Sequence, residues 1–295
     1  MEKIFLASIL LFSGLLASCS GDYVLAPSPN YDDSVWVDSF TQIPDIQGID
    51  VIWAIDTSCS MNDQQLELLS GIEIMMSSLP PGGWRLNMIS IAPSVALNDA
   101  QFPLVPGDMI GDALQMYDAM SKGPEEQGFD AIMRYIDYNE YATTWLRDDA
   151  ALLVVFVSDE DDQSGVSVVD FENWYWLQRP VVFLSSIVNL PLNESTCNAN
   201  NYDTGDRYIE ATRNFGGFVV DICDPDWSAG VVEASTQIKP REFLELSHLP
   251  VEESIRVFYN SQETAEWVYD ESDNAVYFIT TPAANTLVEI AYLIK

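Results

Sequence analysis

Basic residues are scarce in this chain. Lysine and arginine together number 12, against 46 aspartates and glutamates, for a formal net charge of −34. Gripping a phosphate backbone requires cationic side chains, so nucleic-acid binding is excluded as a function class. Histidine occurs once, as His248. Metal-assisted hydrolysis needs an open metal position and a general base, often histidine. His248 has no partner motif and reads as structural, so the enzyme reading is poor and no catalytic residue is assigned. Long apolar runs are also lacking. The run Ile4 to Leu16 is too short to cross a bilayer comfortably as a mature helix, and no other stretch is apolar enough. What the chain does have is size and apolar content. Its 295 residues are 48% hydrophobic, enough for one substantial domain and a small second one. Most of the acids read as a solvated surface, so only acids clustered at strand ends are site candidates.

The N-terminus reads as a targeting signal, of a lipoprotein rather than of an ordinary secreted protein. Glu2 and Lys3 precede the apolar run, which fits the core of a signal peptide. The run ends in Leu16-Ala17-Ser18-Cys19, which resembles a bacterial lipoprotein box. The resemblance implies that Cys19 is lipidated, palmitate included, and becomes the first mature residue. Ser20 follows in place of an aspartate, and by the rules of that class this points to the outer membrane of the cell envelope rather than the inner. Acyl chains then tether the protein without a transmembrane segment. Of the four cysteines, Cys197 and Cys223 lie late in the chain, where an exported, oxidising setting allows a disulfide. That bond would close a loop of about 26 residues, for a few kcal/mol. Cys59 has no obvious partner and reads as a small loop filler.

The chain is organised around Val51-Ile52-Trp53-Ala54-Ile55-Asp56-Thr57-Ser58-Cys59-Ser60-Met61. A short apolar run, read as a strand buried on both faces, ends in one acid and alternating hydroxyls. Asp56, Ser58 and Ser60 then sit at the carboxyl edge of a sheet, where open α/β folds bind ligands. These are hard oxygen donors, suited to Mg²⁺, Ca²⁺ or Mn²⁺. A second apolar strand, Leu152 to Val157, ends in Ser158-Asp159-Glu160-Asp161-Asp162.

Asp-x-Ser-x-Ser after a buried strand resembles the metal-ion-dependent adhesion site of von Willebrand factor A (vWA) domains, over roughly residues 48–238. The resemblance implies that Asp56, Ser58 and Ser60 hold a divalent cation directly and that Asp159 approaches it, often through water. An open coordination position would then accept a carboxylate oxygen from a protein partner. In the family a Thr before the following helix usually completes the set. This chain has no Thr there, and the matching position falls near Glu126 in Lys122-Gly123-Pro124-Glu125-Glu126-Gln127-Gly128. Glu126 is then either an extra anionic ligand or, with Glu125, a residue that favours the helix N-terminus electrostatically. Asp161 and Asp162 read chiefly as solvated loop acids.

Strands and helices alternate along the middle of the chain, which predicts a doubly wound α/β fold with a mostly parallel, vWA- or Rossmann-like sheet. From Pro240 onward the texture changes to short β-like runs separated by turn signals, which predicts a small C-terminal antiparallel β module. The expected organisation is a lipoprotein signal over 1–19, a tether over 20–47, the α/β domain over 48–238 and the β module over 240–295. In the tether, Trp36, Val37 and Phe40 are candidates to dock on the edge of the first strand. The expected function is a membrane-tethered module that binds a protein partner through a divalent cation. The alternative is a structural envelope lipoprotein whose metal site only stabilises it or is degenerate.

Overall fold

A computed structural model of the chain describes residues 34–44, 46, 48–80, 83–191, 194–195, 203–236 and 239–295. The lipid-bearing Cys19 expected from sequence lies outside these residues, and so does Cys197 of the expected Cys197–Cys223 pair. Among the described residues no helix is long and apolar enough to cross a membrane.

In chain order the elements are β1 (Val35–Thr41), β2 (Ile49–Ile55), α1 (Gln65–Ser78), β3 (Trp84–Ser90), α2 (Pro93–Ala96), α3 (Ile110–Ala119) and α4 (Gly128–Tyr138). They continue with α5 (Ala142–Trp145), β4 (Ala151–Ser158), α6 (Val168–Tyr175), β5 (Val182–Val188), α7 (Asp206–Asn214), β6 (Val219–Asp221) and α8 (Ser228–Thr236). Short strands close the chain: β7 (Phe243–Glu245), β8 (Arg256–Tyr259), β9 (Gln262–Thr264), β10 (Trp267–Asp270), β11 (Ala275–Phe278) and β12 (Leu287–Leu293).

Every residue of β2 and β4 is buried, the pattern required of a strand covered by helices on both faces. Val51, Trp53 and Ile55 point to one face and pack with Leu68, Ile72 and Met75 of α1. Ile52 and Ala54 point to the other and pack with Phe129, Ile132 and Tyr135 of α4. Burying such side chains contributes about 1.5–3 kcal/mol each, so these central strands dominate the stability of the domain. The five-stranded sheet has the order β3-β2-β4-β5-β6, and every pairing in it is parallel. It is the doubly wound α/β architecture that the alternation of elements predicts. From β2 the chain moves outward to β3, then crosses back to β4 on the other side. The strand order therefore reverses between β2 and β4, and the register sets Ile55 beside Val157. Asp56 and the Ser158–Asp159 step thus emerge together at the switch point, where such folds form their binding crevice.

The second unit is antiparallel, as expected, but it begins earlier in the chain than the sequence suggests. β1 lies within the predicted tether, and it neither dangles nor docks on β2. It pairs antiparallel with β12 from Val35↔Leu293 to Thr41↔Leu287. Its sheet has the order β1-β12-β8-β9, and a second sheet β10-β11-β7 accompanies it. Leu246, Ile255, Val257, Val276, Phe278, Val288, Ile290 and Tyr292 form the core, with Phe40 of β1 packed against them. Asp38 fastens the strand in place. Its carboxylate accepts from the Tyr292 hydroxyl at 2.7 Å and from the Ser247 backbone N–H at 2.9 Å. β8 and β9 join through Asn260 and Ser261, both at positive φ, the left-handed pair that a two-residue hairpin needs.

Candidate metal centre at the sheet edge

Asp56 follows the last residue of β2 and is buried. Its backbone N–H donates to Val157 O at 2.8 Å, which locks the two strand tips together. One carboxylate oxygen accepts from the Ser58 N–H at 2.8 Å and the other from the Ser158 hydroxyl at 2.8 Å. A tight turn follows. It brings the hydroxyls of Ser58 and Ser60 within 2.7 Å of each other, and Ser60 Oγ donates to Asp159 Oδ1 at 3.0 Å. Asp56, Ser58, Ser60 and Asp159 therefore form one hydrogen-bonded set.

Thr57 points the other way and braces the loop. Its hydroxyl lies 2.9 Å from Ser90 Oγ at the end of β3, donates to Gly123 O at 3.0 Å and accepts from the Gly123 N–H at 3.1 Å. This contact fastens the segment that carries Glu126. The Glu126 carboxylate accepts from Gln163 Nε2 at 2.6 Å, and its backbone carbonyl accepts from the Gln163 N–H at 2.7 Å. Glu126 also comes within hydrogen-bonding reach of Glu160 and feels the charges of Asp56 and Asp159. Burial, then the contact and charge of Glu160, then those two aspartates push the Glu126 carboxyl up to about 8. Asp159 is also raised, chiefly by burial, against the opposing hydrogen bond from Ser60. Both shifts are what carboxylates show when held together without a neutralising charge.

The acid run after β4 divides in two. Asp159 and Glu160 face the cluster. Asp161 instead accepts from the Arg207 N–H at 2.9 Å. Asp162 is buried, accepts from the Phe129 N–H at 3.1 Å and from the Ser164 hydroxyl at 2.8 Å, and pairs with Arg207 Nη1 at 3.1 Å. Neither is the solvated loop acid that a charge run suggests. Both pin the loop to α4 and α7. Sequence reading passed over Thr57, Ser158 and Glu160. The hydroxyl of Ser158 directly before the acids was the available signal for it. Glu160 had none, because position within the run does not reveal which acids turn inward.

The donors at this edge are hard oxygens, which fits Mg²⁺, Ca²⁺ or Mn²⁺. Cys59 carries a free, exposed thiol. Among the described residues, no three His, Cys, Asp or Glu side chains converge closely enough to hold an ion by themselves. A cation here must draw on the serine hydroxyls or on rotation of the glutamates. His248 lies in the β module, its ring 4.4 Å from Trp36 in an edge-to-face contact.

No protein-family model and no curated protein matches the sequence. Solved structures are similar at low identity. The ArnB paralog VWA2 from Sulfolobus acidocaldarius is 13% identical, with 88% of this chain and 65% of that chain covered at a TM-score of 0.40. Proximal thread matrix protein 1 from the mussel byssus is 10% identical, with 66% and 48% covered at 0.44. The pilus adhesin SpaC from Lactobacillus rhamnosus GG, in its open conformation, is 9% identical, with 90% and 43% covered at 0.41. This chain spans about half the length of the mussel protein. Likeness at this level carries nothing about the chemistry of the present site.

Proposed function

We propose that this chain is a vWA-type binding module that uses a divalent cation, Mg²⁺, Ca²⁺ or Mn²⁺, to engage a protein partner, and that it works by ligation without turnover. Asp56, Ser58 and Ser60 would hold the ion directly, Glu126 would join them, and Asp159 would approach directly or through water. The bound cation would supply a Lewis-acidic position for a carboxylate oxygen of the partner. A lipid on Cys19 would hold the module on the bacterial cell envelope, with the outer membrane as its destination. One observation carries the reading. At the switch point of the sheet, hydroxyls and carboxylates from two strand tips form a single connected set in which Ser60 links Ser58 to Asp159.

A second reading has its own support. Glu126 and Glu160 both crowd the site. Added anionic ligands satisfy the ion and weaken capture of an acidic partner, which favours a cation that only stiffens the loops. Divalent-dependent pull-down of a partner by the wild-type chain, lost in Asp56→Ala, supports the binding module. A melting shift with the ion, with partner capture indifferent to Asp56→Ala, supports the stabilising role. Calorimetry with Mg²⁺, Ca²⁺ and Mn²⁺ that detects no binding to the wild-type chain sinks both.

A further inference from the structure

We propose that the free edge of β1 is a self-association surface, where a second copy of this chain pairs antiparallel about a two-fold axis at Val37 to make one continuous sheet. The inference is independent of the cation reading above.

Strand pairing decides which backbone groups are left over. In an antiparallel ladder, residues bonded to one neighbouring strand alternate with residues that face the other side. The Ile294 N–H donates to Ser34 O at 3.3 Å and the Gln42 N–H to Thr286 O at 2.8 Å, so the even-numbered residues of β1 bond toward β12. Val35, Val37, Ser39 and Thr41 therefore turn their N–H and C=O groups to the open side. β1 is the end strand of its sheet, and all four residues are exposed. Among the described residues nothing bonds to this row.

Sheet edges are normally kept short, charged, interrupted by proline or a bulge, or covered. The other edges here follow that rule. β6, β7 and β9 have three residues each, β10 has four and ends in Asp270, and Leu104 bonds to Leu86 across the edge of β3. β1 has seven residues in unbroken register, with no proline, glycine or lysine among them. Val35, Trp36 and Val37 are 63%, 42% and 51% exposed.

Charge selects the occupant. Two copies of a molecule with a net charge of −34 repel each other, so they can meet only where acids are sparse. β1 has one acid, Asp38, and it is turned to Ser247 and Tyr292. A basic strand from another protein would find no row of carboxylates along β1 to match, whereas an identical apolar strand matches itself. Register follows, because outward-facing residues must meet outward-facing residues. An axis at Asp38 would set two carboxylates directly opposite, which is destabilising. An axis at Ser39 would carry Val35 and Trp36 past the end of the partner strand. An axis at Val37 pairs Val37 with its copy, Val35 with Ser39 and Trp36 with Asp38, and gathers the exposed apolar side chains at the centre.

Sedimentation equilibrium of the full chain in EDTA, across a range of NaCl, tests this. We expect a monomer–dimer equilibrium that tightens as salt rises, since salt screens the like net charges and leaves backbone pairing in place. Val37→Lys should weaken the dimer at least about tenfold, because it sets two ammonium groups opposite each other and removes apolar contact at the axis. Leu287→Lys lies on the same sheet face but one strand inward, at a residue 38% exposed, and should leave the dimer unchanged. Thermal melts matching wild type show that the variants fold; if Val37→Lys melts early, Ser39→Lys supplies the same test at the residue that meets Val35. A chain that stays monomeric overturns the proposal, as does a dimer that the edge lysines leave intact or one that weakens with added salt. Equal loss in Leu287→Lys would mean that the sheets associate by their faces, and overturns pairing at the edge.

Discussion

Asp162→Ala is expected to be among the most damaging single changes near the site, although Asp162 faces away from it. The carboxylate is buried and accepts from the Phe129 N–H, the Ser164 N–H and the Ser164 hydroxyl, at 3.1, 3.2 and 2.8 Å. Arg207 sits 3.1 Å away with about three-quarters of its side chain covered. Truncation removes the acceptor that caps α4, worth about 0.5–2 kcal/mol in comparable caps. It also leaves a largely buried guanidinium without its counter-ion, although Arg207 Nη1 keeps the carbonyls of Asp162 and Ser164. Breaking a buried pair from one side costs about 3–5 kcal/mol, and the retained carbonyl contacts place the expected total near the lower end, about 3 kcal/mol. Urea unfolding at pH 7 measures it directly. Asp162→Asn, which keeps an acceptor but loses the charge, should cost about half as much, since hydrogen bonds to a charged group are roughly twice as strong as neutral ones. A double-mutant cycle with Arg207→Ala isolates the pair from the cap. A loss below about 1 kcal/mol for Asp162→Ala would show that solvent screens the pair as it does at a surface, and the loop would then owe its position to something else.

Further expectations follow from the same contacts. The ion-free protein should lose stability as pH rises from about 4.5 toward 8. The folded-state carboxyl of Glu126 is raised to about 8 from 4.5, so its contribution is fully present below the unfolded value and disappears as pH climbs through the folded one. Because Glu126 is partly exposed, screening reduces the effect to about 1 kcal/mol; thermal melts across that range should show it, and Glu126→Gln should flatten it. Gly128→Ala should destabilise the domain by about 1–3 kcal/mol through overpacking, because a Cβ there would meet the Tyr208 hydroxyl at 2.5 Å and Phe156 Cε1 at 3.0 Å; a variant as stable as wild type by urea unfolding would contradict this.

The architecture was legible where apolar runs were long and uninterrupted. β2 and β4 announce themselves as strands buried on both faces, and the oxygen-rich residues after each fall at one sheet edge because parallel register leaves no other option. β1 was hidden for a physical reason. In Val35–Thr41 five of the seven residues are exposed, so burial writes little alternation into the sequence. Its partner β12 lies at the far end of the chain, and nothing local signals a pairing across that separation. The short strands β7 and β9, three residues each, fall below the length at which periodicity can be read. At the site, sequence identified the residues that emerge directly from strand tips. It singled out Asp159 but read Asp161 and Asp162 as solvated and passed over Glu160, because the direction of Asp161 and Asp162 depends on Arg207, which comes from an element much later in the chain.

That division explains how so acidic a molecule can keep acids together at one edge. Like charges at close range are costly, and the cost grows with burial. The fold confines it by giving some acids their own partners. Asp162 has Arg207, and Asp50 at the opposite end of β2 has Arg147 at 2.7 Å. Two of the chain's 12 basic residues are thus spent on fully buried carboxylates, which stiffen the two ends of the central strands. Asp159, Glu126 and Glu160 receive no ion pair to lysine or arginine among the described residues; hydroxyls, an amide and one another meet them instead. A protein indifferent to cations would gain by placing a basic residue there, since one lysine would relieve the repulsion that lifts Glu126. The edge instead leaves Glu126 among Glu160, Asp56 and Asp159 with its carboxyl raised to about 8, and it is this crowding that the cation proposed above would relieve.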